Sequence, residues 1–162
     1  MAYIRTDVKF ENDNSKYVGA DNNGKPIKYD YMLTTSANIK PGMPVKYSGN
    51  SGCTEAEAAD TGLFQIDAIA ELDKTQVNNC TVAYAEGDTI PCIPLAENRG
   101  LRMRNVMMGD PGSAVSQRAR LSADATGFAY HAAYHEASGY YVETMYDISD
   151  PNADTRIRAV IL

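Results

Sequence analysis

Between residues 39 and 104 the chain alternates short apolar runs with residues typical of tight turns, and this alternation constrains the fold more than any other feature. Pro41-Gly42 lies near the start of the stretch, and Glu86-Gly87-Asp88 separates two later β-type runs. Proline and glycine interrupt regular structure, so short runs bounded by them are typical of strands joined by turns. The spacing predicts a small β-barrel or β-sandwich.

Seven runs are predicted strands: Val45–Tyr47, Gly62–Ala68, Thr81–Tyr84, Thr89–Leu95, Leu101–Met107, Tyr140–Ile148 and Arg156–Leu162. In the sixth run Val142 and Thr144 alternate with Glu143, as in a strand with one face turned inward. The seventh run is apolar to its final residue, so we expect it to be buried in a sheet or in a contact between subunits. Residues 113–124 are one longer helix candidate, and their mixed propensity leaves helix and non-helix open.

The first 35 residues differ from the rest of the chain. Polar turn clusters at Glu11–Ser15 and Asp21–Gly24 interrupt short apolar stretches. We interpret residues 1–35 as an extended N-terminal arm that orders against a partner, or alternatively as the first hairpin of the same barrel. Residues 36–162 are then a single β-barrel domain. The predicted fold class is mainly β, a small β-barrel or sandwich with an extended N-terminal arm and at most one short helix.

Composition limits the classes of partner. The 162 residues include 15 Lys and Arg against 21 Asp and Glu, and this net charge of −6 argues against direct nucleic-acid binding, which depends on cationic contacts to phosphate. The sequence has neither a secretory leader pattern nor a run of roughly 20 apolar residues, so we expect no membrane association. Cys53, Cys80 and Cys92 are expected as free thiols in a reducing compartment. Alternatively, Cys80 and Cys92 pair if the strands flanking Ala85–Asp88 form a hairpin.

His131 and His135 are the strongest candidates for chemistry. Histidines four apart on a helix share a face and can occupy two positions on a metal ion. Zinc needs further ligands, and the neighbouring Glu136 does not lie where the zincin pattern requires a glutamate. A structural pair of histidines is the better interpretation. We therefore expect no catalytic, cofactor-binding or metal-binding residues and no enzymatic activity.

Arginines are concentrated between residues 99 and 120. This segment contains five arginines and one aspartate, which gives it a net charge of +4 in a chain whose total is −6. Guanidinium groups pair well with carboxylates and are common at interfaces, so an acidic partner surface can dock here. The alternative is a solvated face that balances acidic residues elsewhere in the fold. With three residues of the arm they make up the predicted partner-binding set: Tyr3, Arg5, Tyr17, Arg99, Arg102, Arg104, Arg118 and Arg120.

Three segments carry a resemblance to a known family. They are Ile39–Tyr47 with its Pro-Gly-Met-Pro-Val, Tyr84–Ile90 with its Glu-Gly-Asp, and Leu95–Leu101 with its Asn-Arg-Gly. Together they resemble the β-barrel capsid decoration, or cement, proteins of tailed bacteriophages, in which a Pro-Gly-Met-x-Val strand begins the barrel and a Tyr-x-x-Gly-Asp-x-Val hairpin continues it. The resemblance covers roughly residues 37–110, and neither the N-terminal region nor the Tyr-rich C-terminal third aligns with that family.

The resemblance implies a structural protein that binds the outside of an assembled head, often as a homotrimer, and clamps neighbouring major capsid subunits. It implies no cofactor, synthesis in the host cytoplasm and a final place on the virion exterior. We expect the arm around Tyr3–Tyr17 to order on the capsid, and the barrel to self-associate through its apolar C-terminal strand. Two other classes stay open. One is a small-ligand or glycan-binding β module, such as a virion attachment protein, with a tyrosine-lined surface; the other is a metal-dependent enzyme that uses His131 and His135.

Overall fold

The computed structural model describes residues 13–56, 66–109, 115–123, 126–129, 142–148 and 156–162. Within these ranges the chain forms strands, turns and bends and no helix. The strands are β1 (Gly19–Asp21), β2 (Asp30–Thr34), β3 (Pro44–Ser48), β4 (Gly52–Glu55), β5 (Ala68–Ala70), β6 (Thr89–Pro94), β7 (Arg102–Met107), β8 (Arg120–Ala123), β9 (Phe128–Ala129), β10 (Val142–Thr144) and β11 (Arg156–Ile161). The prediction of a mainly β fold with a small barrel is confirmed.

Five strands close a barrel in the order β2-β4-β3-β5-β6, with β2 pairing again with β6. All of these pairs are antiparallel except β2 and β4, which run parallel. Along β2 the side chains alternate, so Met32 and Thr34 are buried while Tyr31 and Leu33 are exposed. This period of two is what a pleated strand with one face on the core requires. The barrel interior is apolar, with Ile69 and other aliphatic side chains fully buried.

The other six strands form a sheet in the order β1-β7-β11-β10-β8-β9. The C-terminal strand β11 lies inside this sheet, paired with β7 on one side and β10 on the other. Its residues Ile157, Ala159 and Ile161 are buried in the core of the same chain. The expectation of a strand buried in a sheet is therefore confirmed. Because β11 already pairs with β7 and β10, it is an inner strand of the sheet within the chain, and self-association through it stays a prediction.

The turn before β3 joins the barrel to the six-stranded sheet. The N–H of Gly42 donates to the carbonyl oxygen of Ala70 in the barrel at 2.8 Å. The carbonyl oxygen of Gly42 accepts from the N–H of Met107, on sheet strand β7, at 3.0 Å. The Pro-Gly motif noted in the sequence therefore does more than end a strand, since it holds the two strand systems together.

Residues 13–35, within the segment for which an arm was predicted, contribute strands β1 and β2. The strand β1 pairs with β7 at the edge of the six-stranded sheet, and β2 is a barrel strand. The side-chain amide of Asn105 also donates to the carbonyl oxygens of Asp13 and Lys16, both at 3.0 Å. The described part of this segment is thus part of the fold, as in the alternative interpretation, and the barrel includes residues on both sides of the predicted boundary at residue 36. Residues 1–12 lie outside the described ranges.

One predicted strand is wrong, and the segment left open between helix and non-helix contains a strand. The run Thr81–Tyr84 is a turn followed by extended chain instead of a strand, because its backbone bonds to loops: the N–H of Tyr84 donates to the carbonyl of Ile39 at 2.8 Å.

In the helix candidate, residues 120–123 form strand β8, which pairs with β10 and β9. The run Tyr140–Ile148 forms a strand only over Val142–Thr144 within its described part, where the predicted burial of Val142 and Thr144 is confirmed. Of Gly62–Ala68, the residues before Ile66 lie outside the described ranges.

Candidate partner-binding surfaces

The six-stranded sheet gathers charged side chains on one face. Its register places Arg102 of β7 opposite Val160 of β11, Val160 opposite Glu143 of β10, and Glu143 opposite Arg120 of β8. Residues directly opposite each other on antiparallel strands point to the same side of the sheet. The four residues therefore form a row across four strands. All four are exposed or half-buried, whereas Met103, Ala159 and Leu121 on the other side are buried.

Two more arginines belong to this face. Arg104 lies two residues after Arg102 on β7, and Arg158 lies two residues before Val160 on β11, so both share the side of that row. We call Arg102, Arg104, Arg120, Arg158 and Glu143 the arginine face. Asp21 of β1 is paired opposite Arg102 and adds a second carboxylate at the edge of this row. Four guanidinium groups thus face two carboxylates, and the surface is positive in a protein whose total charge is −6. It has the charge that docking to an acidic surface requires.

The arginine face contains part of the predicted set. Arg102, Arg104 and Arg120 are brought together, as the charge count suggested. Arg99 is exposed in the turn between β6 and β7, and Arg118 is exposed in the turn that leads into β8. Arg158 was missed. The alternation of Arg158 with apolar neighbours along the last strand was the signal that would have placed it on the outer side.

Tyr17 is the one arm residue of the predicted set that the structure describes, since Tyr3 and Arg5 lie outside the described ranges. It borders an open pocket of about 320 Å³ together with Tyr29 and Tyr31. The three tyrosines are 50%, 36% and 68% exposed, which is high for large aromatic side chains. The Nζ atom of Lys74 lies 5.0 Å from the centre of the Tyr17 ring. We call this site the tyrosine pocket.

Glu71 forms part of the wall of the tyrosine pocket and is only 2% exposed. One carboxylate oxygen accepts from the N–H groups of Val18 at 2.6 Å and Leu72 at 2.7 Å, and the other accepts from Gly19 at 2.9 Å. Burial raises the pKa of Glu71, while these bonds and one from the Tyr29 hydroxyl oppose that rise. Glu71 thus fastens the segment that carries Tyr17 to the barrel.

Asp73 supplies a second carboxylate to the tyrosine pocket. Its oxygens accept from the Thr75 hydroxyl at 2.7 Å and from the Gln76 amide at 2.7 Å. These bonds lower the pKa of Asp73, so the group is charged at neutral pH. The sequence hinted at the pocket only through Tyr29 and Tyr31, whose spacing of two puts them on one side of an extended segment. Only the folded structure shows that Tyr17 and residues 71–75 complete the pocket.

The residues that suggested metal or redox chemistry are placed as follows. His131 and His135 lie outside the described ranges. Among the residues that the structure does describe, no group of three or more His, Cys, Asp or Glu could hold a metal ion. Cys53, Cys80 and Cys92 are free thiols and all three are buried, so the predicted free state holds and the alternative Cys80–Cys92 bridge is absent.

The fold and these surfaces define a class: a small all-β protein with a closed five-stranded barrel, a second six-stranded sheet, and two surfaces suited to binding. In the described part of the chain, no helix has the length and apolar character needed to cross a membrane. No protein-family model matches the sequence, and no curated protein matches it as a relative.

Proposed function

We propose that this chain is a capsid decoration protein of a tailed bacteriophage. In this proposal it binds the outer surface of the assembled head and stabilises contacts between major capsid subunits. The observation that carries the proposal is where the resembling segments fall. The stretch of roughly residues 37–110 supplies four of the five barrel strands, and its Pro-Gly and Glu-Gly-Asp motifs lie in turns that lead into β3 and β6. The resembling stretch thus covers most of the barrel and, in β7, one strand of the other sheet.

The arginine face is the proposed docking surface for the major capsid protein. Exposed ion pairs are worth only about 0–1 kcal/mol each, so a single copy gains little from them. On a capsid lattice the same contact repeats, and an oligomer that engages several sites gains affinity through effective concentration. We propose a homotrimer on this ground, made in the host cytoplasm and located on the virion exterior, without direct contact to nucleic acid.

The N-terminal arm is the second proposed contact. Residues 13–18 bond to Cys80, Arg104 and Asn105, so the proposed contact of the arm is confined to residues 2–12, which lie outside the described ranges. Deleting residues 2–12 leaves all of these bonds in place. We expect this deletion to weaken binding to heads without lowering the thermal unfolding temperature. Equal affinity of the truncated and full-length chains would remove the arm from the proposal.

The decisive experiment is co-sedimentation of the purified protein with heads of the phage that encodes it, in both the compact precursor and the expanded form. Saturable binding to expanded heads is the expected result, with weaker binding as salt is added. Absence of binding to both forms would overturn the proposed function.

A matched pair of variants tests the arginine face in the same assay. The double variant Arg102→Gln/Arg104→Gln removes two charges from the arginine face, and Lys25→Gln/Lys28→Gln removes two charges from the exposed connection between β1 and β2. We expect about tenfold weaker binding for the first, from roughly 0.7 kcal/mol per exposed pair, and little change for the second. Equal effects of the two variants would show that only total charge matters.

A second candidate function is favoured by the tyrosine pocket. Three exposed tyrosine rings beside two carboxylates suit a small-ligand or glycan-binding β module, because tyrosine offers an apolar face and a polar tip. Binding on a glycan array, combined with no affinity for heads, would favour this candidate over the decoration protein.

A further inference from the structure

We propose that the tyrosine pocket binds a cationic side chain, an arginine or lysine presented by a partner protein. This inference goes beyond the proposed function and does not depend on it, since none of the residues that border the pocket belongs to the arginine face, although Arg104 of that face lies near Tyr17 and Lys74. The pocket combines the three features that hold organic cations: aromatic ring faces, nearby carboxylates and an opening to solvent.

The aromatic part is built from three tyrosines on two segments. Tyr31 lies on the outer face of β2, Tyr29 lies just before that strand, and Tyr17 lies just before β1. The negative face of an aromatic ring attracts a cation within about 6 Å of its centre. Several rings around one opening produce the cage arrangement used to recognise ammonium groups.

A cation already occupies part of the pocket. The Lys74 ammonium lies 5.0 Å from the centre of the Tyr17 ring, within cation–π range. Lys74 is itself exposed and comes from the loop after β5, so it can swing into solvent at little cost. The chain thus supplies an internal occupant that a partner's cation would displace.

Charge selects a cationic occupant over a neutral or anionic one. Glu71 and Asp73 border the pocket with two carboxylates, and Lys74 supplies one positive charge. Among the residues that border the pocket the balance is one net negative charge, and it becomes two when Lys74 moves away. Lys16 and Arg104 border a neighbouring cavity that shares Tyr17 and Lys74 with the pocket. Because Glu71 is buried, its field is screened less than that of a surface carboxylate.

Both carboxylates would act on a ligand through their charge. Both oxygens of Glu71 are engaged by backbone N–H groups and by Tyr29, so Glu71 acts through its charge and through the position it gives Tyr17. Asp73 is half-buried, and both of its oxygens are also engaged, one by Thr75 and the other by the Gln76 amide, so Asp73 too acts through its charge. A guanidinium or ammonium group between the rings would be stabilised by both charges without displacing any bond of the fold.

The test uses N-acetyl-arginine methylamide as the probe and N-acetyl-citrulline methylamide as its neutral isostere. Tyrosine ring resonances are followed by NMR during titration of the full-length protein. We expect saturable shifts with the arginine probe, at millimolar concentrations, and none with the citrulline probe. No saturable shift with arginine, or equal shifts with both probes, would overturn the proposal. Shifts of the same resonances by neutral sugars alone would assign the pocket to glycans instead.

Variants locate the binding and test the displacement of Lys74. Tyr31→Ala should abolish the shifts of the remaining pocket tyrosines, whereas Leu33→Ala, a truncation on the same face of the same strand that does not border the pocket, should leave them. Lys74→Ala should tighten binding of the arginine probe about two- to fivefold, because the internal competitor is gone. Weaker or unchanged binding in Lys74→Ala would contradict the proposed displacement. Both tyrosine and lysine positions are exposed, so these variants are expected to fold.

Discussion

The guanidinium group of Arg156 donates a hydrogen bond of 2.6 Å to the carbonyl oxygen of Cys80, and both groups are buried. The same guanidinium donates to the carbonyl oxygens of Pro41 and, at 3.0 Å, of Asn105. One side chain of the last strand thus satisfies carbonyl groups of two turns and of strand β7. The five donors of a planar guanidinium make arginine suited to this task, and lysine cannot reproduce the fixed fork.

Replacement of Arg156 should be among the most destabilising single changes outside the apolar core. Arg156→Met keeps much of the side-chain volume but leaves buried carbonyl oxygens without donors, so we expect a loss of about 3 kcal/mol in the free energy of unfolding. Arg158→Met is the control, because Arg158 is half-buried on the outer side of the same strand, and it should cost less than about 1 kcal/mol. Chemical denaturation measures both. Similar losses for the two variants would contradict the role given to Arg156.

Gly42 should resist substitution for two reasons that can be separated. Its φ is +92°, and a Cβ at this position would lie 2.1 Å from the carbonyl oxygen of Asn105. Gly87 has nearly the same φ, +91°, but a Cβ there would meet nothing within 4 Å. Gly87→Ala therefore measures the backbone cost alone, about 1–2 kcal/mol, and Gly42→Ala adds the steric clash. We expect Gly42→Ala to be more destabilising by at least about 1 kcal/mol, and equal losses would mean that strand β7 moves aside freely at Asn105.

Much of the fold could be predicted because its signals are local. The strands around residues 45, 90, 103 and 159 follow from alternation and from turn residues that bound each run. The closed barrel could not be derived, since it depends on pairing β2 with β6 across more than fifty residues and on a parallel contact with β4. The residues between two such strands do not indicate which strands will pair.

The misassigned run at residues 81–84 shows how tertiary contacts override composition. Tyr84 is buried, but its hydroxyl donates to the carbonyl oxygen of Glu71 at 2.5 Å and accepts from the N–H of Asp73 at 2.8 Å. Thr81 and Val82 are exposed and lie in a turn and a bend. The run therefore contains one buried tyrosine that anchors a loop. From the sequence pattern alone, such a run cannot be distinguished from a strand with one buried face.

The two candidate surfaces were predictable to different extents, because the sequence reveals only residues that lie close together along the chain. The arginine cluster was visible as a charge excess, because three of its members are close in sequence. The strand order of the sheet was needed to show that Arg158 and Glu143 lie beside these arginines. The tyrosine pocket combines residues more than fifty positions apart, so only the folded chain reveals it.

Glu71→Gln should loosen the attachment of the N-terminal segment. The carboxylate accepts from three backbone N–H groups, whereas a glutamine amide offers one oxygen and turns an N–H₂ donor toward the others. Relief of the buried charge works in the opposite direction, but the unsatisfied N–H groups dominate, and we expect a loss of about 2 kcal/mol. Hydrogen exchange at Val18 and Gly19 should accelerate. Glu86→Gln, at an exposed position, is the control and should change neither quantity; unaltered exchange in Glu71→Gln would contradict the attachment.

Tyr29 should make stability depend on pH in the alkaline range. Burial, together with the neighbouring Glu71, raises the pKa of Tyr29 to about 12 from its ordinary value of 10.0. Below pH 10 the phenol is protonated in both the folded and unfolded states, so its full contribution to stability is present there. Between pH 10 and 12 the unfolded chain loses this proton while the folded chain keeps it, and the free energy of unfolding falls. Tyr29→Phe has no hydroxyl at this position, so it lacks this contribution to the pH-dependent decrease in the free energy of unfolding. The difference in unfolding free energy between the wild type and Tyr29→Phe, measured by denaturation at pH 8 and at steps from 10 to 12, should therefore shrink as pH rises. A difference that stays constant across this range would show that Tyr29 titrates as it does in the unfolded chain, and that its hydroxyl is open to solvent instead of held against Glu71.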